Sequence, residues 1–447
     1  MMNIVIAGDG EVGLHLAEEL ALENHNITIV DPHEDLITMV ESHVDVMGIK
    51  GDSTSVNVLK SANVRKADLL ISVLHDERTN IITAGLGKQL GAKRTIARVN
   101  NLEYLDPANQ AYFNQMGVDS IVCPENIVAD EIAGLLSQTA ATEIFDFSNG
   151  KLFMFLIKLS ENAPVANKTL NQIAAEYPHL VFRAVAIHRE RNTIIPKGDD
   201  TIKPNDLCYV ITKPGGIEDL LKLGGKTKIE IRDVLIIGGG RVGRTTAKKL
   251  EKTLNIKLIE HSKEKSQQLA NYLEDTLIIH GDGRDIQLWQ DEDIAGMDAF
   301  IAVTDNSETN VLSCLQAKKF GVTRTIALVE NIEYIDIAQN IGIDTIINKK
   351  LSTASYIVRF TMNAEVTSIK FLSGANAEVM EFIAKPHSLI TKKPIRNINI
   401  PKGAIIGGII RGEDSHIAVG DLQIQENDKV VVFSLPEAMH KVDMLFN

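Results

Sequence analysis

The 447-residue chain is 44% apolar and 23% charged, with a mean hydropathy of +0.01. This is a globular composition rather than a disordered one, and the length exceeds one hydrophobic core, so about three domains are expected. No apolar run approaches the roughly 18 to 20 residues that cross a bilayer, and Met1-Met2-Asn3-Ile4 has no basic leader, so the cytosol is the expected compartment. A net charge of −13 argues against nucleic acid or anionic lipid as a general partner, and one Trp leaves little for base stacking. Cys123, Cys208 and Cys314 lie far apart with no CxxC spacing, which argues against a disulfide framework or thiolate zinc site and suggests small buried apolar residues.

Taken in order, the chain alternates apolar runs with amphipathic stretches. Strands are predicted at Asn3 to Ala7, Asn26 to Asp31, Asp45 to Ile49, Asp68 to Leu74, Arg94 to Val99 and Ser120 to Cys123. Helices are predicted at Val12 to Glu23, His33 to Ser42, Ser55 to Ala62, Asn80 to Leu90, before Gly117, and from Glu125 to Ser137. Continuous apolar strands separated by helices indicate a parallel sheet covered on both faces. The pattern then changes. Ile144 to Phe147 and Leu152 to Ile157 flank Ser148-Asn149-Gly150, a hairpin signal. A short helix from Leu170 to Glu176 and strands at Val181 to Arg189 and Asp206 to Thr212 complete a small α+β module, and Gly224-Gly225-Lys226 reads as a link.

Everything then repeats. Gly8-Asp9-Gly10-Glu11-Val12-Gly13 recurs as Gly238-Gly239-Gly240-Arg241-Val242-Gly243, Gly51-Asp52 as Gly281-Asp282, and Thr79-Asn80 as Thr309-Asn310, all 230 positions apart. Gly91 to Asp106 matches Gly321 to Asp336 at 10 of 16 positions. Gly198 to Asp206 aligns with Gly420 to Asp428. The expected architecture is α/β: two Rossmann-like doubly wound parallel sheets, each followed by a small α+β C-terminal module. The expected boundaries are 1–138, 139–225, 230–360 and 361–447.

Each glycine turn follows a strand, opens a helix, and precedes by about 20 residues a strand ending in an acid, Asp31 or Glu260, as a dinucleotide fold requires. Gly8 permits the tight turn, Gly10 lets a pyrophosphate reach the backbone, and Gly13 allows close helix packing. The helix N-terminus supplies unpaired N–H groups to phosphates. Asp31 and Glu260 suit ribose hydroxyls and repel a 2′-phosphate, so NAD(H) or an adenine nucleotide is expected over NADP(H). Asp52 and Asp282 suit either the adenosine or the cap of the next helix. Leu74-His75 and Thr304-Asp305 border the crevice, with His75 read as a loop residue near the ligand. Arg98 is a charge in an apolar strand, read either as a phosphate ligand or as a strand-end residue snorkelling or paired with a carboxylate. Its duplicate is Leu328, while Glu11 becomes Arg241, so the two sites are expected to differ in phosphate preference.

The motifs VIAGDGEVG with Asp31, LLISVLHDERTN, IARV with Arg98, LIIGGGRVG with Glu260, FIAVTDNSETN and IIGGIIRGEDSHIAVGD resemble the tandem RCK (KTN) regulatory domains of potassium channels and transporters, over essentially the whole chain. The resemblance implies a non-enzymatic, cytoplasmic, peripheral subunit on the inner face of the plasma membrane. Such a subunit is a homo-oligomer, a tetrameric ring of eight domains beneath a separate membrane-embedded Trk potassium transporter subunit. NAD or NADH, ATP or ADP would occupy Gly8 to Val12, Asp31, Leu74-His75 and Arg98 in the first unit, and Gly238 to Val242 with Glu260 in the second. The rival readings are an NAD-dependent oxidoreductase and an RCK subunit of a different transporter or exchanger. A dehydrogenase needs a general acid/base beside the nicotinamide. The modules offer no His/Asp or Lys constellation common to both copies, since His188 and His416 fall at inequivalent positions beside the matched Arg189 and Arg411.

Overall fold

The computed structural model describes residues 2–8, 10–22, 25–137, 143–148, 150–189, 192–225, 231–358, 360–361, 366–372 and 377–447. The first half runs β1 (Asn3–Ala7), α1 (Glu11–Leu22), β2 (Asn26–Asp31), α2 (Glu34–His43), β3 (Met47–Lys50), α3 (Val56–Ser61), β4 (Leu69–Ser72), α4 (Glu77–Leu90), β5 (Arg94–Arg98), α5 (Gln110–Gln115), β6 (Ser120–Val122) and α6 (Pro124–Ser137). Its C-terminal module follows as β7 (Glu143–Phe147), β8 (Leu152–Lys158), α7 (Leu170–Glu176), β9 (Phe182–Arg189), β10 (Asn192–Ile194), β11 (Leu207–Thr212) and α8 (Ile217–Leu223).

The second half repeats this order: β12 (Asp233–Ile237), α9 (Arg241–Leu250), β13 (Asn255–Glu260), α10 (Lys263–Tyr272), β14 (Thr276–His280), α11 (Ile286–Asp291), β15 (Ala299–Ala302), α12 (Ser307–Lys319), β16 (Arg324–Leu328), α13 (Tyr334–Asn340), β17 (Thr345–Ile347) and α14 (Lys349–Val358). It ends with β18 (Val366–Leu372), β19 (Ala377–Ile383), β20 (Ala404–Arg411), β21 (Asp414–Ile417), β22 (Lys429–Ser434) and α15 (Pro436–Phe446).

The parallel sheets have strand orders β3-β2-β1-β4-β5-β6 and β14-β13-β12-β15-β16-β17. Both are the doubly wound order, whose reversal between the first and fourth strands opens a crevice at their carboxyl ends. Central strands β4 and β15 are buried at every residue, which is why they read as unbroken apolar runs. The antiparallel sheets, β10-β9-β11-β8-β7 and β18-β19-β22-β20-β21, share one topology.

Two compact units divide the chain, Met1–Ile127 with Lys350–Asn363, and Val128–Lys349 with Ala364–Asn447. In the first, Arg94 at the start of β5 donates from its guanidinium to the Phe360 carbonyl, which ties the Lys350–Asn363 segment to the sheet. In the second, α6 beyond Ile127 contributes Val128, Ile132, Leu135 and Leu136 to the core of β12, β13, β15 and β16, with Leu328 in the same cluster. The apolar stripe of α6 is therefore internal packing on the other copy's sheet.

Within that unit the two antiparallel sheets share one core. Phe147, Met154 and Tyr209 of one pack with Val379, Val431 and Phe433 of the other. Gly407 lets the sheets close, because a Cβ there would lie 2.0 Å from Ile211 Cδ1. Twin ion pairs brace the modules: Arg189 Nε and Nη2 reach Asp206 at 2.7 Å each, and Arg411 reaches Asp428 at 2.8 and 2.7 Å. The matched arginines thus serve the fold. Lys226 of the link and Asn149 of the hairpin lie outside the described residues. Cys123, Cys208 and Cys314 are buried and free, and burial pushes the Cys123 thiol up to about 11.

Because Ile132 is fully buried, Ile132→Ala should cost about 2–5 kcal/mol and lower the urea midpoint. A change within about 0.5 kcal/mol, as for a surface helix, would contradict this packing.

Candidate functional site

The first crevice is built around the glycine turn between β1 and α1. A Cβ on Gly8 would lie 2.9 Å from Gly13 Cα, and one on Gly13 would lie 3.0 Å from Gly8 Cα. Strand end and helix start thus touch backbone to backbone, and no side chain fits between them. A Cβ on Gly10 would meet the His75 ring at 2.9 Å, so His75 stands over the turn. Asp9 lies outside the described residues; Glu11 and Val12 open α1.

Asp31 ends β2, is 2% exposed, and accepts from the His33 amide at 2.7 Å, with His33 Nδ1 at 3.1 Å. Asp52 does not cap α3. Its Oδ1 accepts from the Thr54 amide and hydroxyl at 2.8 and 2.7 Å, while Ser55 holds the cap position. Those two hydrogen bonds hold the Asp52 carboxyl below the usual carboxylate range. At the far side, Arg98 ends β5, and its Nε is buried without a hydrogen-bond partner. An anion reaching that atom would satisfy it.

The floor of the crevice rests on a residue whose role sequence reasoning missed. Asn80, buried in α4, accepts from the Ser72 hydroxyl at 2.9 Å and the Leu74 amide at 2.8 Å, and donates to the Leu74 and Arg98 carbonyls at 2.9 Å each. Asn310 does the same in the second copy. It accepts from the Thr304 amide and hydroxyl at 3.0 and 2.6 Å, and donates to the Thr304 and Leu328 carbonyls at 3.0 and 2.8 Å. The exact repetition of an Asn inside an apolar helix pattern was the available signal.

The second crevice is a cleft of about 320 Å³, bordered by Gly238, Gly240, Glu260, Asp282, Thr304 and Asp305. Gly238 has a φ of +101°, the left-handed region that favours glycine, and a Cβ there would strike the Val303 carbonyl at 2.8 Å. A Cβ on Gly243 would strike the Gly238 carbonyl, whereas one on Gly240 would meet nothing within 4 Å. Arg241 and Val242 open α9. Glu260 is 8% exposed; its Oε2 accepts from the Gly239 amide at 2.9 Å and its Oε1 from the Ser262 amide at 2.8 Å. Asp282 likewise does not cap its helix, since Asp285 takes that position. Its Oδ1 and Oδ2 instead bind the Arg284 guanidinium at 3.0 and 2.8 Å, which lowers its carboxyl to about 2. Leu328, in the place of Arg98, joins the apolar core beneath α6. Among the described residues, no cluster of His, Cys, Asp and Glu has the arrangement of a metal site.

Known proteins share this organisation. The TrkA-N domain model matches residues 4–124 and 234–349, and the TrkA-C domain model matches 154–225 and 379–447. A Methanosarcina mazei protein named Trk system potassium uptake protein TrkA homolog 1 is 34% identical over the whole of both chains. The Vibrio alginolyticus Trk system potassium uptake protein TrkA is 30% identical over 97% of this chain and 95% of its own. Among solved structures, the GsuK RCK domain superposes with a TM-score of 0.60 at 18% identity, covering 100% of this chain and 95% of that one. The GsuK channel bound to NAD gives 0.60 at 18% identity, over 100% and 79%.

Gly240→Val has room in the fold and a φ of −63°, so stability should stay within about 1 kcal/mol while the side chain fills the second cleft. Nucleotide titration should lose one class of sites, and an unchanged stoichiometry would remove the cleft from consideration. In the first crevice, Arg98→Ala should weaken ADP more than adenosine. Equal losses for the two ligands would count against a phosphate contact.

Proposed function

The chain belongs to the TrkA family, with its TrkA-N and TrkA-C domains each present twice, and on that premise we propose that it is a nucleotide-responsive regulatory subunit of a potassium transport system. It acts on the cytoplasmic face of the membrane, and its four modules, 1–138, 139–225, 230–360 and 361–447, assemble with other copies into a tetrameric ring. The pore belongs to a separate membrane-embedded Trk subunit; among the described residues, no helix is long and apolar enough to cross a membrane.

The observation that carries this reading is the duplicated glycine turn at the switch point of each doubly wound sheet, followed by a buried acid, Asp31 or Glu260, at the end of the next strand. Arg98, which ends β5 with a buried Nε that has no hydrogen-bond partner, supports an anion beside that turn. A bound NAD(H), ATP or ADP supplies negative charge and binding energy there. The α1 amides face its phosphates, Asp31 takes a ribose hydroxyl, and Leu74-His75 flank it. The second site uses Gly238 to Gly243 with Glu260, Asp282 and Thr304. A nucleotide that binds one ring conformation better than another biases the gate by that difference, typically about 1–3 kcal/mol, and the gate reciprocally alters nucleotide affinity.

The test is a thermal-shift panel of NAD, NADH, ATP and ADP on the purified chain, run beside light scattering. At least one nucleotide should raise the unfolding temperature, and the mass should be four chains. Steady NADH oxidation with a small carbonyl substrate would replace this reading with the oxidoreductase.

A further inference from the structure

The two crevices also differ in sequence at the end away from the glycine turn. The segment after β13 keeps the spacing of the segment after β2, so Glu260 stands for Asp31 and Lys265 for Leu36; the next loop sets Asp282 against Asp52 and Arg284 against Thr54. The second copy therefore keeps both acids of the adenosine end and adds two cations. Lys265, Arg284 and His261 all border the cleft.

These cations are held for use. Asp282 grips Arg284 through Nε and one Nη2 hydrogen, leaving the remaining N–H donors of the guanidinium fork unengaged by that carboxylate. The loop that carries Arg284 is pinned from beneath, because the chain's single Trp, Trp289, is 1% exposed and donates from Nε1 to the Gly283 carbonyl at 3.0 Å. Meanwhile each Glu260 oxygen already accepts a backbone amide. Its Oε2 reaches back to the glycine turn at Gly239, and its Oε1 reaches forward to Ser262. An acid drawn toward the backbone beside two added cations favours an anion, rather than a bare hydroxyl, on the ribose.

We propose that the second crevice takes an adenosine nucleotide carrying an extra phosphate on its ribose, held by Lys265 and Arg284, while the first takes the unphosphorylated ribose. The inference rests on the nucleotide-binding reading above and reverses, for the second site alone, the preference against NADP(H) drawn from its terminal acid.

The experiment titrates the full chain with AMP, ADP, adenosine 2′,5′-bisphosphate and adenosine 3′,5′-bisphosphate. One bisphosphate should bind at least tenfold tighter than AMP, a gain that ADP does not match. The 2′ isomer points to a phosphorylated dinucleotide and the 3′ isomer to a coenzyme A-like ligand. Lys265→Leu should erase most of that gain while leaving AMP affinity within twofold, Lys265→Arg should restore it, and Gly240→Val should abolish it. Equal gains for ADP and the bisphosphates, or a gain that survives Lys265→Leu, would overturn the inference and leave nucleotide binding standing. No binding by any of the four ligands would overturn both.

Discussion

Strand end and helix start touch at Gly8 and Gly13, where a single Cβ on either glycine would overlap the other's backbone. The approach aims the first turn of α1 at the crevice, so the free amides of its N-terminus face the carboxyl ends of the strands. In the second copy the demand is sharper, since Gly238 is left-handed and Gly243 lies against the Gly238 carbonyl. The terminal acids, the strand-end loops and Arg98 are all placed relative to this turn.

A second constraint holds the opposite wall. One carboxamide, Asn80 or Asn310, pairs with the backbone of two adjacent strand ends and keeps them a fixed distance apart. On this shared frame the copies diverge. The first ends β5 in Arg98 with an unpaired buried Nε, and the second ends β16 in Leu328, which packs into the core under α6. The positive charge missing there reappears at Lys265 and Arg284, on the other side of the cleft. Duplication has thus conserved the scaffold and moved the charge.

Much of this was legible from residue types and spacing. The parallel sheets announced themselves as apolar runs of four to six residues, and α7 begins and ends where its pattern predicts, closed by the Thr169–Gln172 capping box. The glycine turns and terminal acids could be named because their spacing is dictated by local backbone geometry. The functions of Asp52 and Asp282 were not legible. Whether a carboxylate caps a helix or grips a neighbour depends on side-chain rotamers, and Thr54 and Arg284 won that competition. Lys265 escaped notice because its site neighbours lie on other elements.

The sequence by itself determined that there are two copies of a nucleotide-type crevice, each with a turn-rich module behind it. The residue spacing also sets Ile127-Val128, Ile132 and Leu135-Leu136 on one apolar helix face. Only the tertiary structure decided what covers that face, placing α6 on β12, β13, β15 and β16 and placing the Lys350–Asn363 segment with the first sheet. It likewise decided that the two antiparallel sheets share a single core. The reason is physical: a hydrophobic face specifies that it must leave water, but burial is non-directional and does not specify against what.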